Sequence, residues 1–315
     1  MSKRGFSPFS VLFLVIHIVL LIGCTQVRIF QMADNYSDYV FATYVEHNTN
    51  GAVIIEIQNI SDTHQKDELV KMVQTGEIAF ARAGIAELSS INPMIGVLNM
   101  PFFFENREDM FRVLDGSSGD ELLELFVENN LLGLCWFDTG FRNIYTSGKE
   151  IKTPSDLAGL KIRVEENPLM MDVFRFLGAF PLPMAADDVA ENIQKRIING
   201  AEGTWHSYIT SGHYEAAKYY SLIQFMSAPD MLLVNTDVWN SFNETEKKII
   251  KEAALEMAKV QRESWLAAEQ EYEALARAAG CVITEPTPAN IQLFADALAL
   301  VYELHLNGVN HHIIH

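Results

Sequence analysis

The sequence predicts a two-lobed α/β protein, and three observations predict it. Strand-like and helix-like segments alternate from Val27 to Ala83 in a βαβαβ rhythm, and a comparable alternation starts again at Leu134. A single helix-like segment, Glu244 to Ala279, is too long to lie on one lobe. Strands that alternate with helices form largely parallel sheets covered on their faces, so two such units fit the 315 residues better than one long sheet.

The first 23 residues stand apart from that pattern. Lys3 and Arg4 form a basic start, Phe9 to Ile22 is almost wholly apolar, and Leu21-Ile22-Gly23-Cys24 fits a bacterial lipobox. The apolar run is short against the roughly 20 residues of a spanning helix. Residues 1–23 are therefore read as a lipoprotein signal peptide and Cys24 as the lipidated first residue, with an uncleaved anchor as the alternative. Both place the chain on the secreted side. The formal charge is −18, and cleavage would remove two bases and no acid. So acidic a protein is a poor partner for nucleic acid or for anionic lipid, although a local pair of arginines can reverse the field inside a cleft.

Val27 to Ala33 reads as a strand, Asn35 to His47 as a helix, and Ala52 to Gln58 as a second strand. Lys66 to Gln74 reads as a helix stopped at Gly76, and Ile78 to Ala83 as a strand. Cys135 falls in the apolar run Leu131 to Phe137 and Cys281 follows Gly280; a single disulfide between them stays open, while metal-ligand spacing is absent. In Glu244 to Ala279, Asn243 and Glu246 form a capping pair and Gly280 supplies the stop. Ile250, Ala253, Ala254, Met257, Val260 and Ala267 give its apolar stripe, too alanine-rich for a strict coiled-coil seam. The terminal Asn310-His311-His312-Ile313-Ile314-His315 is read as a frayed end rather than a metal site.

The residues that point to chemistry lie between Gly140 and Tyr220. Leu160 to Val164 alternates as a short strand, Thr153-Pro154 opens a helical turn before it, and Asn167-Pro168 opens a helix after it. Arg163 thus sits near the carboxyl end of a strand, before a helix N-terminus, where open α/β sheets bind ligands and anions are favoured. Its planar fork can take both oxygens of a carboxylate. From the pattern alone, a structural ion pair is an equal alternative. Short enzyme signatures are missing: no Gly-x-Ser-x-Gly elbow, His-Glu-x-x-His, phosphate loop or Gly-x-Gly-x-x-Gly.

In these segments the chain resembles the extracytoplasmic solute-binding subunits of TRAP transporters, the DctP-type family. The markers are Gly159-Leu160-Lys161-Ile162-Arg163-Val164, Leu177-Gly178-Ala179 with Pro181-Leu182-Pro183-Met184, and Asn199-Gly200-Ala201-Glu202. Leu98 to Phe104 and His213 to Tyr220 add to them. The resemblance covers nearly all of the chain after Cys24. It implies a fold like the type II periplasmic binding proteins, with a long hinge-spanning helix. Lobe I would comprise 24–139 plus 229–268, and lobe II 140–228 plus 269–315.

The resemblance also implies a monomer without a cofactor that is not an enzyme, holds a small organic acid and hands it to membrane permease subunits. Arg163 falls on the family arginine that binds the ligand carboxylate, and Arg142, in Gly140-Phe141-Arg142, on a second one. Glu202, Gly203 and Trp205 fall in the segment that presents polar groups to the ligand, and Glu68 and Arg82 on positions near the cleft in the first lobe. In the subgroup handling sugar acids, two asparagines and then Trp-Pro-Ser-Tyr follow the glutamate. Here Gly203 and Thr204 replace the asparagines and His206 the proline, so Gly203 lacks the expected amide. Hexuronates and related sugar acids are the expected ligands, and dicarboxylic or hydroxy acids come second. The alternatives are a binding protein of an ATP-driven importer, a lipid-anchored sensor, and a secreted hydrolase of acidic sugars.

Overall fold

The apolar and β-branched segments gather into two six-stranded sheets, and two strands run straight from one sheet into the other. The computed structural model describes residues 20–22, 25–33, 37–60 and 65–306. Cys24 and the terminal histidines 311, 312 and 315 lie outside these residues. In chain order the strands are β1 (Leu20–Ile22), β2 (Thr25–Ala33), β3 (Val53–Gln58), β4 (Phe80–Gly84), β5 (Leu131–Phe137), β6 (Phe141–Thr146), β7 (Lys161–Val164), β8 (Phe180–Pro183), β9 (Gly200–Gly203), β10 (Tyr219–Ser227), β11 (Asp230–Asn235) and β12 (Val282–Thr284).

In the first sheet β2 runs parallel to β3 and β4, as the βαβαβ rhythm requires. β1, from the stretch that lipobox cleavage would remove, pairs only with Thr25–Val27. The largely parallel sheet expected from the sequence is in fact mixed, because β11 arrives from far downstream and inserts antiparallel between β4 and β5. The second sheet has the order β12-β10-β6-β9-β7-β8. There β7 is parallel to both β8 and β9, while β6 is antiparallel to β9 and β10. The helix expected from Asn35 spans Asp38–Asn48, and the strand expected from Ile78 starts at Phe80.

The two crossings between lobes lie side by side. β5 passes into β6 through Asp138–Gly140, and β10 returns to β11 through Ala228 and Pro229; Thr139 Oγ1 donates to the Ala228 carbonyl at 2.6 Å. The long helix, Glu244–Ala278, is 35 residues, or about 52 Å at 1.5 Å per residue. Asn243 accepts from the Glu246 N–H at 3.0 Å, and Glu246 accepts from the Asn243 N–H at 2.9 Å, closing the expected capping box.

Ile250, Ala253, Ala254, Met257 and Ala258 pack into the first lobe's core, and Ala276 into the second's. Between them the expected stripe breaks: Val260 is half-buried and Ala267 is exposed. The helix there leaves one core before reaching the next, and its contacts become polar. Gln261 is buried and holds the crossing, accepting from the Asp138 N–H at 3.0 Å and donating to the Asp138 carbonyl at 2.8 Å. Arg107 pairs with both Asp138 and Glu269. Gly140 has φ +77°, where a side chain is strained, and a Cβ there would also press on the carboxylate end of Glu269 at 2.5 Å.

The last helix, Pro288–Leu306, also bridges the lobes. Phe294, Leu298 and Val301 enter the second core, Leu306 enters the first, and Tyr302 Oη donates to the Pro101 carbonyl at 2.8 Å. Cys135 and Cys281 are buried free thiols in different cores, which closes the disulfide alternative. Burial pushes the Cys135 thiol up to about 12, so it is an inert packing group.

Candidate functional site

β7 ends at Val164 because Asn167 caps the next helix, Pro168–Phe176, accepting from the Leu169 N–H at 2.8 Å. Arg163 is thereby fixed at the strand's carboxyl end, buried to 7% exposure. Its Nε donates to the Met184 carbonyl at 2.9 Å, just past β8. Nη1 lies 3.8 Å from Glu202 Oε1, beyond hydrogen-bond reach. The Nη1/Nη2 edge therefore carries no hydrogen bond from the described residues. Such an edge can take an acceptor from outside the described residues.

Arg142 is placed differently. Ile144 of β6 pairs with Glu202 of β9, and Arg142, two residues earlier on the same face, reaches that carboxylate. Its Nε donates to Glu202 Oε2 at 2.6 Å, and Nη2 pairs with Glu165 Oε1 at 2.9 Å. Burial opposes the charge on Arg142, but Glu202 and Glu165 outweigh it and raise its pKa. Glu202 has no exposed surface. Besides Arg142 it accepts from the Glu165 N–H at 3.3 Å, so it is the buried counter-ion that lets two arginines share one strand end.

Glu165 was not singled out from the sequence. Its side chain is 52% exposed. Partial burial pulls its pKa up, but Arg142 above all, with Arg163 and Lys66, brings it below the usual value. Lys66 opens the helix Lys66–Thr75, which packs on the first sheet, so its field reaches Glu165 from the first lobe.

The other expected site residues are distributed around this cluster. Gly203 is buried at the end of β9 without positive φ; a Cβ would meet Ser207 Oγ at 2.5 Å and Tyr145 Oη at 3.4 Å. Its conformation would accept a side chain, but the space is already held by a serine hydroxyl and a tyrosine. Thr204 caps the helix Trp205–Thr210, accepting from the Ser207 N–H at 3.3 Å, which gives it a structural role. Trp205 stacks on Tyr220, centroids 4.0 Å apart and planes 17° apart, within a cluster that includes Tyr145 and Tyr208. His206 meets Tyr272 Oη of the long helix at 3.1 Å.

In the first lobe Arg82 pairs with Asp230 at 3.2 Å and lies over the Phe137 ring at 4.1 Å, beside the crossings. Glu68 is exposed and accepts from the Gln65 N–H at 3.0 Å as the far half of a capping box. It makes no hydrogen bond or ion pair with the arginine cluster.

Sequence patterns also gave no role to His213, which is fully buried. Its Nε2 lies 2.9 Å from the Ala186 carbonyl, which can only accept, and Nδ1 lies 2.8 Å from Tyr145 Oη. Desolvation lowers its pKa, with Arg163 adding to the shift. The neutral tautomer with the proton on Nε2 then accepts from Tyr145, fixing that ring behind Arg163.

A family-wide profile described as bacterial extracellular solute-binding protein, family 7 (DctP) matches residues 37–307. A solute-binding protein of Chromohalobacter salexigens is 34% identical over 225 residues, 71% of this chain and 67% of that one. The crystal structure of a TRAP periplasmic solute-binding protein from Roseobacter denitrificans with bound β-D-glucuronate superposes with a TM-score of 0.76. It has 30% identity, over 89% of this chain and 94% of that one. A TRAP periplasmic solute-binding protein from Xanthobacter autotrophicus with bound β-D-galacturonate gives 0.73 and 30%, over 88% and 94%. The chain belongs to the bacterial extracellular solute-binding protein family 7.

Proposed function

We propose that this chain captures a hexuronate or closely related sugar acid between its lobes and delivers it to the membrane subunits of a TRAP permease. The observation that carries this is the open Nη1/Nη2 edge of Arg163, held by Met184 and backed by a buried carboxylate that does not close on it. Such an edge is built for one carboxylate taken in bidentate fashion. Arg142 supports it from the neighbouring strand, Gly203 and Trp205 shape the wall behind, and Arg82 and Glu68 stand on the opposing lobe. The similar proteins with glucuronate and galacturonate bound support the ligand class.

The lobes, 24–139 plus 229–268 and 140–228 plus 269–315, close about the two crossings and the polar middle of the long helix. A thermal-shift series with D-glucuronate, D-galacturonate, short dicarboxylates and hydroxy acids tests the assignment. A ligand at 100 times its dissociation constant adds about 2.7 kcal/mol, so one hexuronate at millimolar concentration should raise the melting temperature by several degrees. A shift with dicarboxylates and none with hexuronates would overturn it.

We also propose that the mature chain is tethered through lipid on Cys24, from the Leu21-Ile22-Gly23-Cys24 sequence. Cys24→Ala is expected to abolish incorporation of labelled fatty acid in a bacterial host. Unchanged labelling would refute the tether.

A further inference from the structure

Arg142 uses the Nε/Nη2 edge of its guanidinium, the geometry that chelates a single carboxylate, on two different ones. Glu202 takes Nε and is wholly buried, so it cannot leave. Glu165 takes Nη2 and is half exposed, so it forms the outer surface of the pair. Its backbone is fixed too, since β7 ends one residue earlier and its N–H donates to Glu202. The cations acting on Glu165 are Arg142, Arg163 and Lys66, set against the carboxylates of Glu165 itself and Glu202. That leaves the Nη1/Nη2 edge of Arg163 without a hydrogen bond from the described residues, while Arg142 keeps only Nη1 outside its two pairs.

We infer that Glu165 is a specificity-determining residue: by occupying Arg142 it reserves the site for ligands with one carboxylate and repels a second. The inference rests on the hexuronate assignment and deepens it. A sugar acid placed with its carboxylate on Arg163 meets Glu165 as an acceptor for hydroxyl groups. A diacid brings its far carboxylate toward a carboxylate already committed to Arg142, where like charges oppose each other. An Arg142 free of Glu165 would instead offer a second carboxylate site.

The test compares D-galacturonate with galactarate, its counterpart oxidised at both ends, by titration calorimetry on the wild type and on Glu165→Gln. Glutamine keeps the length and one carbonyl acceptor for Arg142 and removes the charge. The difference in shape between the two ligands cancels when their affinity ratio is compared across the two proteins. The galactarate-to-galacturonate ratio is expected to rise roughly tenfold or more in the variant, with an unchanged melting profile showing that the fold is kept. Glu165→Ala, which removes the acceptor as well, should show the same rise in ratio with weaker galacturonate binding.

If Glu165 only braces Arg142, both ligands weaken together and the ratio stays within about twofold, which overturns the inference. A wild type that already prefers galactarate to galacturonate overturns it as well. A wild type that binds neither galacturonate nor glucuronate brings down the ligand assignment itself, and this inference with it.

Discussion

Replacing Arg163 with alanine is expected to weaken hexuronate binding roughly 30-fold or more while leaving the protein folded. Truncating one partner of a buried, hydrogen-bonded charge pair costs about 2–5 kcal/mol, because the other charge stays buried without its partner. Here that other charge is the ligand's carboxylate. The fold survives because Glu202 keeps its 2.6 Å bond to Arg142 when the more distant Arg163 is removed. Arg163→Lys retains the charge but loses both the fork and the Nε bond to Met184, so it should bind only slightly better than alanine. Arg142→Ala provides the contrast, since it strips Glu202 of its close partner and should lower stability as well as affinity. Calorimetry with D-glucuronate, beside thermal melting, reads both quantities. Near-native affinity in Arg163→Ala would remove this residue from the ligand site.

The residues that were legible in the sequence are those whose role is local. The placement of Arg163 at a strand end before a helix was legible because a four-residue strand, a capping asparagine and a proline at the first helical position all lie within a few residues of it. The capping box at Asn243 and the reach of the long helix were legible for the same reason. What remained hidden depends on distant pairing. Nothing near Asp230–Asn235 indicates that it inserts between β4 and β5, so the first sheet was expected to be more parallel than it is. Ala267 satisfied the helical period yet faces solvent, because periodicity does not reveal that the helix crosses a gap between two cores.

The site divides along the same line. Glu202 was expected near the ligand from its segment, but its place between two arginines depends on β6, β7 and β9 meeting in the middle of one sheet. Glu165 left one faint signal, an acid directly after the strand that carries Arg163, and only the geometry ties it to Arg142. His213 lay inside a segment already noted. Its hydrogen bond to Tyr145 joins residues 68 apart in sequence, and no spacing rule captures that.

The largest effect on stability should come from Glu202. Replacing it with glutamine removes the only fully buried charge between Arg142 and Arg163 while keeping nearly the same volume. Breaking a buried ion pair by removing one partner typically costs about 3–5 kcal/mol, because the remaining charge is left uncompensated. Two guanidiniums share this carboxylate, and only Arg142 has a direct ion pair with another acid among the described residues, the half-exposed Glu165. The cost should therefore fall near the upper end, and thermal melting of the unliganded protein should show a fall of many degrees. The same deficit predicts a rescue. An organic acid seated on Arg163 now also supplies the missing negative charge, so D-glucuronate should raise the melting temperature of Glu202→Gln more than it raises that of the wild type. Chloride or acetate at high concentration should give a smaller share of the same recovery. A glutamine variant that melts with the wild type would show that the two arginines do not need the buried carboxylate. A destabilised variant that anions cannot rescue would trace the loss to packing around β9 rather than to charge.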